Sequence, residues 1–147
     1  MTAQLKYTVK CDLDWRTRLV GIYGREGDRT VNLELEADGA GTWTRDGTSV
    51  HQLAGALDID LAFTPATNLV PIRRLALAVG SSASVRSAWV RFPGLQLEPL
   101  EQRYTRSGER HFRYEALVDG ERFEARLDTD DFGRVVRYEG LWEVDSR

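Results

Sequence analysis

The sequence is short of most of the residue types from which charged or covalent sites are built. It has one cysteine and two histidines in 147 residues. The lone Cys11 excludes an intrachain disulfide and suits a reducing compartment. Only Lys6 and Lys10 are lysines; every other basic residue is arginine. The net charge of −3 gives none of the concentrated basic surface of a nucleic-acid binder. No run approaches the roughly 18 apolar residues of a membrane span. Residues 1–10 alternate and lack the apolar core of an export signal, so the expected location is cytoplasmic.

Catalytic patterns are missing as well. There is no GxSxG elbow, HExxH pair, phosphate-cradling GxxxxGK or GxGxxG. Cys11 falls on the apolar side of its alternating run, a core position, while Lys10 beside it projects to the opposite face. His111 alternates with Phe112 and reads as surface. Asp128, Asp130, Gly133 and Glu139 sit at positions 1, 3, 6 and 12 of a calcium loop, but Phe132 occupies position 5 where an oxygen is required. A hairpin turn is the better reading there. Neither metal nor cofactor is implied, and none of the many carboxylates is marked out as a general acid.

What is abundant is alternation with a period of two. Leu5, Tyr7, Val9, Cys11, Leu13 and Trp15 form one such set. Others are Val31, Leu33, Leu35 and Ala37; Leu57, Ile59, Leu61 and Phe63; Phe112, Tyr114, Ala116 and Val118; Phe123, Ala125 and Leu127; and Val136, Tyr138, Gly140, Trp142 and Val144. Side chains alternate between the faces of a strand, so each run predicts one buried and one wet face, with most acids on the wet one. Turn residues separate the runs, at 25–28, 38–41, 46–47, 80–82, 107–108, 119–120 and 131–133, and predict antiparallel hairpins. Interleaved charges such as Glu121, Arg122, Glu124 and Arg126 describe a solvated face. No linker or repeat interrupts residues 1–147, which predicts a single domain.

One segment fits a helix. Thr64 followed by Pro65 reads as an N-cap with a first-turn proline. Ile72, Leu75, Ala76 and Val79 then have helical spacing, while Leu75, Leu77 and Val79 have strand spacing, and Pro71 limits a continuous helix. Both readings stand at this level.

Polar residues on apolar faces are the candidate binding groups. On the strand reading Arg73 shares a face with Leu75, Leu77 and Val79, where a guanidinium either meets an anionic or sugar headgroup or forms an internal ion pair. Gln102 and Tyr104 follow Leu100 at period two and place an amide and a phenol inside, as ligand contacts or as satisfied core groups. Trp15, Trp43, Trp89 and Trp142 serve either as core or as platforms for sugar rings.

The segments Thr64-Pro65-Ala66-Thr67-Asn68 and Pro71-Ile72-Arg73-Arg74-Leu75 carry a resemblance, supported by Gln102-x-Tyr104 and by Gly133-x-Val135 with Tyr138-x-Gly140-x-Trp142. With the stretches 12–20 and 37–43, they resemble the putative glycolipid-binding family of bacterial proteins over most of the chain. The resemblance implies a mainly β spiral β-roll, a long curled antiparallel sheet wrapped around one short helix. It also implies a homodimer, and a deep pocket of the kind found in bacterial lipoprotein carriers. It transfers no catalytic residue. Carried over as ligand-binding candidates are the motif positions Asn68, Arg73, Arg74, Gln102 and Tyr104. Family members carry extra strands before the segment that begins here near Leu5, and loss of part of that wall would expose an edge to a second copy.

The resulting expectation is non-enzymatic binding of an amphiphilic ligand, a glycolipid being one example, in a pocket enclosed by the curled sheet, with no nucleic-acid partner and no integral membrane association. Two alternatives remain at this level. One is a structural or regulatory homodimerising module with a filled core. The other is a hydrolase or isomerase, which would need two acids converging in the pocket.

Overall fold

The structure, a computed structural model, describes residues 2–140 and 142–143. Twelve strands and one short helix make up its regular elements, together with two 3-10 turns. Strands β1 (Ala3–Cys11), β2 (Thr17–Glu26), β3 (Arg29–Ala37), β4 (Trp43–Arg45) and β5 (Thr48–Ser49) form an antiparallel sheet in chain order. Strands β6 (Asp58–Leu61), β7 (Ser82–Val90), β8 (Leu97–Gly108), β9 (His111–Val118), β10 (Glu121–Thr129), β11 (Val135–Tyr138) and β12 (Trp142–Glu143) form a second, seven-stranded sheet. This second sheet curls into a half-barrel, as a β-roll with a single short helix requires.

Most of the expected hairpins are present. Asp119 and Gly120 turn β9 into β10 with φ of 50° and 81°, the doubly positive pair of a type I′ turn whose twist matches the strands it joins. The would-be calcium loop is the β10–β11 turn, and Asp130 spends one oxygen on the backbone N–H groups of Phe132, Gly133 and Arg134.

One pairing departs from the antiparallel expectation. β6 and β7 run parallel, in register Asp58↔Ser87 to Leu61↔Val90. A parallel pair needs a long crossover, and the helix lies in it. Thr64 caps the entry, accepting from the Ala66 N–H at 3.1 Å, and a 3-10 turn over Pro65–Asn68 leads into α1 (Leu69–Leu75). Pro71 is tolerated because it falls in the first turn of α1, where backbone N–H groups have no partner within the helix. The strand reading of Arg73 to Val79 is thereby overturned. Arg73 lies on the exposed side of α1, and the helix ends at Ala76 in a left-handed conformation.

The first alternating run also stops early. β1 ends at Cys11, because the Asp12 carboxylate accepts from the Asp14 and Arg16 N–H groups and closes a turn. Leu13 is left fully exposed at its tip, and Cys11 is half-buried rather than core. Burial still pushes the Cys11 thiol up, away from the reactive thiolate. Val144 of the last run lies outside the described residues, as does the side chain of Trp142.

Two apolar layers result. Val20, Ile22, Leu33, Leu35 and Trp43 of the first sheet meet Ile59, Leu61, Ala88 and Val90 of the second. Trp43 is core, its indole N–H donating to the Ala56 carbonyl at 2.9 Å. On the concave side of the second sheet, Ile72 of α1 packs with Leu100, Tyr104, Phe112, Tyr114 and Leu127.

Candidate functional site

β6 gives its apolar residues to the first layer, and that placement creates the site. Ile59 and Leu61 face the first sheet. Alternation therefore turns Asp58 and Asp60 to the other face, which the sequence reading treated as wet. The curl of the sheet and α1 cover that face instead, so two carboxylates enter the interior.

They are handled differently. Asp58 is completely buried and paired with Arg74 through two bonds, Nε to Oδ1 at 2.9 Å and Nη2 to Oδ2 at 2.7 Å. Burial raises its pKa, and the guanidinium opposes the rise. Asp60 pairs with no cation among the described residues. Its Oδ2 accepts from the Gln102 amide at 2.6 Å, and the Tyr114 hydroxyl stands 3.5 Å away. Desolvation pushes Asp60 up to about 6, against the lowering effect of these two donors.

Gln102 is fixed from three sides. Its Nε2 donates to Asp60 and, at 2.7 Å, to the Tyr114 hydroxyl, while its Oε1 accepts from the Ser87 hydroxyl at 2.5 Å. Asn68 donates through Nδ2 to the hydroxyl of Tyr104 at 2.8 Å. The rings of Tyr104 and Tyr114 meet edge to face at 5.2 Å, and Tyr138 continues the cluster at 6.2 Å from Tyr114. Burial and the nearby Asp60 charge hold all three phenols protonated, with pKa values above the usual tyrosine range.

Asp60, Asn68, Tyr114 and Tyr138 of this group line a cleft of about 410 Å³. Phe63, Trp89, Leu100, Val118 and Phe123 supply apolar walls. Trp89 is half-buried, and one face of its indole is covered by the Arg91 guanidinium at 4.6 Å. Arg91 is itself held by Glu98 and Asp119. Among the described residues lining the cleft, Asp60 is the only acid, and none is basic.

The five residues singled out from the sequence divide into two groups. Asn68 lines the cleft, while Gln102 and Tyr104 are buried behind it and hold its polar end. The arginines lie elsewhere. Arg74 is occupied by Asp58. Arg73 lies over the rings of Phe132 and Trp15, at 4.3 and 5.3 Å, and donates to the Phe132 carbonyl at 3.3 Å. Asp60, Tyr114 and Tyr138 were missed as polar groups of the site. Their signal was present in the alternating runs, but which strand would be covered on both faces was not.

A second groove of about 430 Å³ lies between the end of β1 and the 3-10 turn, lined by Val9, Cys11, Leu13, Trp15, Leu69 and Val70 among others. It has apolar walls without a converging hydrogen-bonded network, so the first cleft is the better candidate.

A mainly β chain with a curled sheet and a single short helix defines a β-roll. The chain belongs to the family described as Putative glycolipid-binding, whose model matches residues 1–144. Among solved structures it is similar to a DUF1089 family protein from Pseudomonas aeruginosa, at 37% identity and a TM-score of 0.90, with 96% of this chain and 77% of that one covered. No curated protein matches it.

Proposed function

We propose that this protein binds an amphiphile in the cleft of its second sheet, without chemical conversion. The observation that carries the reading is the cleft itself, in which an apolar wall of Phe63, Leu100, Val118 and Phe123 ends at the network of Asp60, Gln102 and Tyr114. An acyl or alkyl chain lies against the wall, and the polar head meets Asp60, Asn68 and the tyrosines. Gln102 and Tyr104 act from behind by holding Asp60 and Asn68 in place. Arg73 and Arg74 are dropped as head contacts, since both are engaged away from the cleft. Membership of a family described as glycolipid-binding supports a lipid-like ligand with a hydroxyl-rich head.

Two further features belong to the proposal. The outer edge of β1, nine residues long, is the site at which a second copy would pair to form a homodimer. The free thiol of Cys11 supports a reducing compartment. Among the described residues no helix is long and apolar enough to cross a membrane.

The filled-core module is the competing reading, and a volume of about 410 Å³ weighs against it. Mass spectrometry of an organic extract of the purified protein tests the proposal. A stoichiometric amphiphile is expected. Empty protein that gains no thermal stability from a panel of lipids would refute it.

A further inference from the structure

Among the described residues the cleft is lined by a carboxylate and no compensating cation, and that asymmetry limits what its ligand can be. Asp60 Oδ2 is taken up by Gln102 and Tyr114. Its Oδ1 bonds to no donor among the described residues, and Asp60 lines the cleft. A carboxylate has about four lone-pair positions, so acceptor capacity remains on the oxygen that faces a ligand. The remaining groups around it are uncharged. Ser87 and Trp89 flank it from β7, Gln102 and Tyr104 from β8, Tyr114 from β9, Tyr138 from β11 and Asn68 from the 3-10 turn. Two charged groups beside the network are already paired. Asp58 is paired with Arg74, and Arg91, on the rim behind Trp89, is shared between Glu98 and Asp119.

Resting on the amphiphile reading above, we infer that the cleft selects its ligand by head charge: it takes a head that donates hydrogen bonds and carries no negative charge, and it rejects phosphate, sulfate and carboxylate heads. An anion brought beside Asp60 meets a like charge in an apolar surround with no arginine or lysine to offset it. A sugar hydroxyl or an ammonium instead supplies the donor that Oδ1 lacks. The rejection depends on pH, because protonation of Asp60 removes the charge and turns the same group into a donor; its pKa of about 6 puts that change within reach of mild acid.

Titration calorimetry with three probes of one tail length tests this: decyl maltoside, decylammonium and decyl sulfate, each below its micellar concentration. At pH 7.5 the maltoside and the ammonium bind, and decyl sulfate binds weaker by on the order of tenfold or more. At pH 5 that gap narrows, and Asp60→Asn narrows it at pH 7.5. The pH comparison on the unaltered protein stands by itself if the variant fails to fold. Decyl sulfate binding as tightly as decyl maltoside at pH 7.5, or a gap unchanged at pH 5, overturns the inference. Binding of none of the three refutes the amphiphile reading itself, and the charge selection with it.

Discussion

The Nε2 of Gln102 donates to Oδ2 of Asp60 at 2.6 Å, and this bond joins the polar end of the cleft to the wall behind it. The same amide binds Tyr114, and its carbonyl binds Ser87. Replacing Gln102 by Leu leaves a carboxylate and two hydroxyls short of partners at once. Gln102→Leu is expected to lower stability by about 3 kcal/mol in urea unfolding, since a buried polar group without a partner costs about 1–3 kcal/mol and a charged one more. It also raises the Asp60 pKa further, which a carboxyl-detected NMR titration reads directly.

Stability should depend on pH through Asp60 with an unusual sign. Its carboxyl titrates near 6 in the folded protein and near 3.8 when unfolded, so between those values the folded state holds more protons. Stability therefore falls as pH rises through that window, by on the order of 3 kcal/mol from this group. Asp58, raised by burial, contributes in the same direction. The difference between the unaltered protein and Asp60→Asn isolates the Asp60 share. The variant is expected to be the more stable of the two at pH 7, with the advantage gone at pH 4.

The Asp58–Arg74 pair is structural. Arg74→Leu strands a fully buried carboxylate and is expected to cost about 3–5 kcal/mol. Adding Asp58→Asn to Arg74→Leu recovers part of that loss. Arg73→Ala, which removes contacts at the exposed Trp15–Phe132 surface, costs under about 1 kcal/mol. Chemical denaturation of the four proteins separates the two arginines, adjacent in sequence and different in role.

Filling the cleft should remove binding and leave the fold. Val118 lines the cleft at the end of β9 and is half-buried. Val118→Trp is expected to abolish copurified lipid, read by mass spectrometry, with a far-UV circular dichroism spectrum still dominated by β structure.

The β character of the chain was legible because its strands alternate cleanly, and turns such as Asp119-Gly120 carry their own geometry. The helix was only half legible. Its cap at Thr64 and Pro65 was visible, but its extent turned on whether Pro71 fell inside the first turn, and that depends on where the preceding 3-10 turn ends. Leu13 and Trp15 kept the alternation while leaving the strand, since Asp12 closes a turn that period alone does not register. Of the five motif positions, Asn68 lines the cleft and Gln102 and Tyr104 lie buried behind it, while Arg73 and Arg74 are engaged elsewhere. Asp60 was read as wet because a period of two assigns a residue to a face but does not say what covers that face. Only the parallel β6–β7 pairing and the crossover through α1 bring that cover into place.

The most direct measurement is an NMR titration of the isotopically labelled protein with decyl maltoside at pH 7.5. Shifts concentrated on Tyr114, Ala116, Val118 and Phe123, the inner wall of the cleft, are the expected result. Shifts confined to Val9, Cys11, Leu13 and Trp15 in the groove beside β1, or none at all, would contradict it.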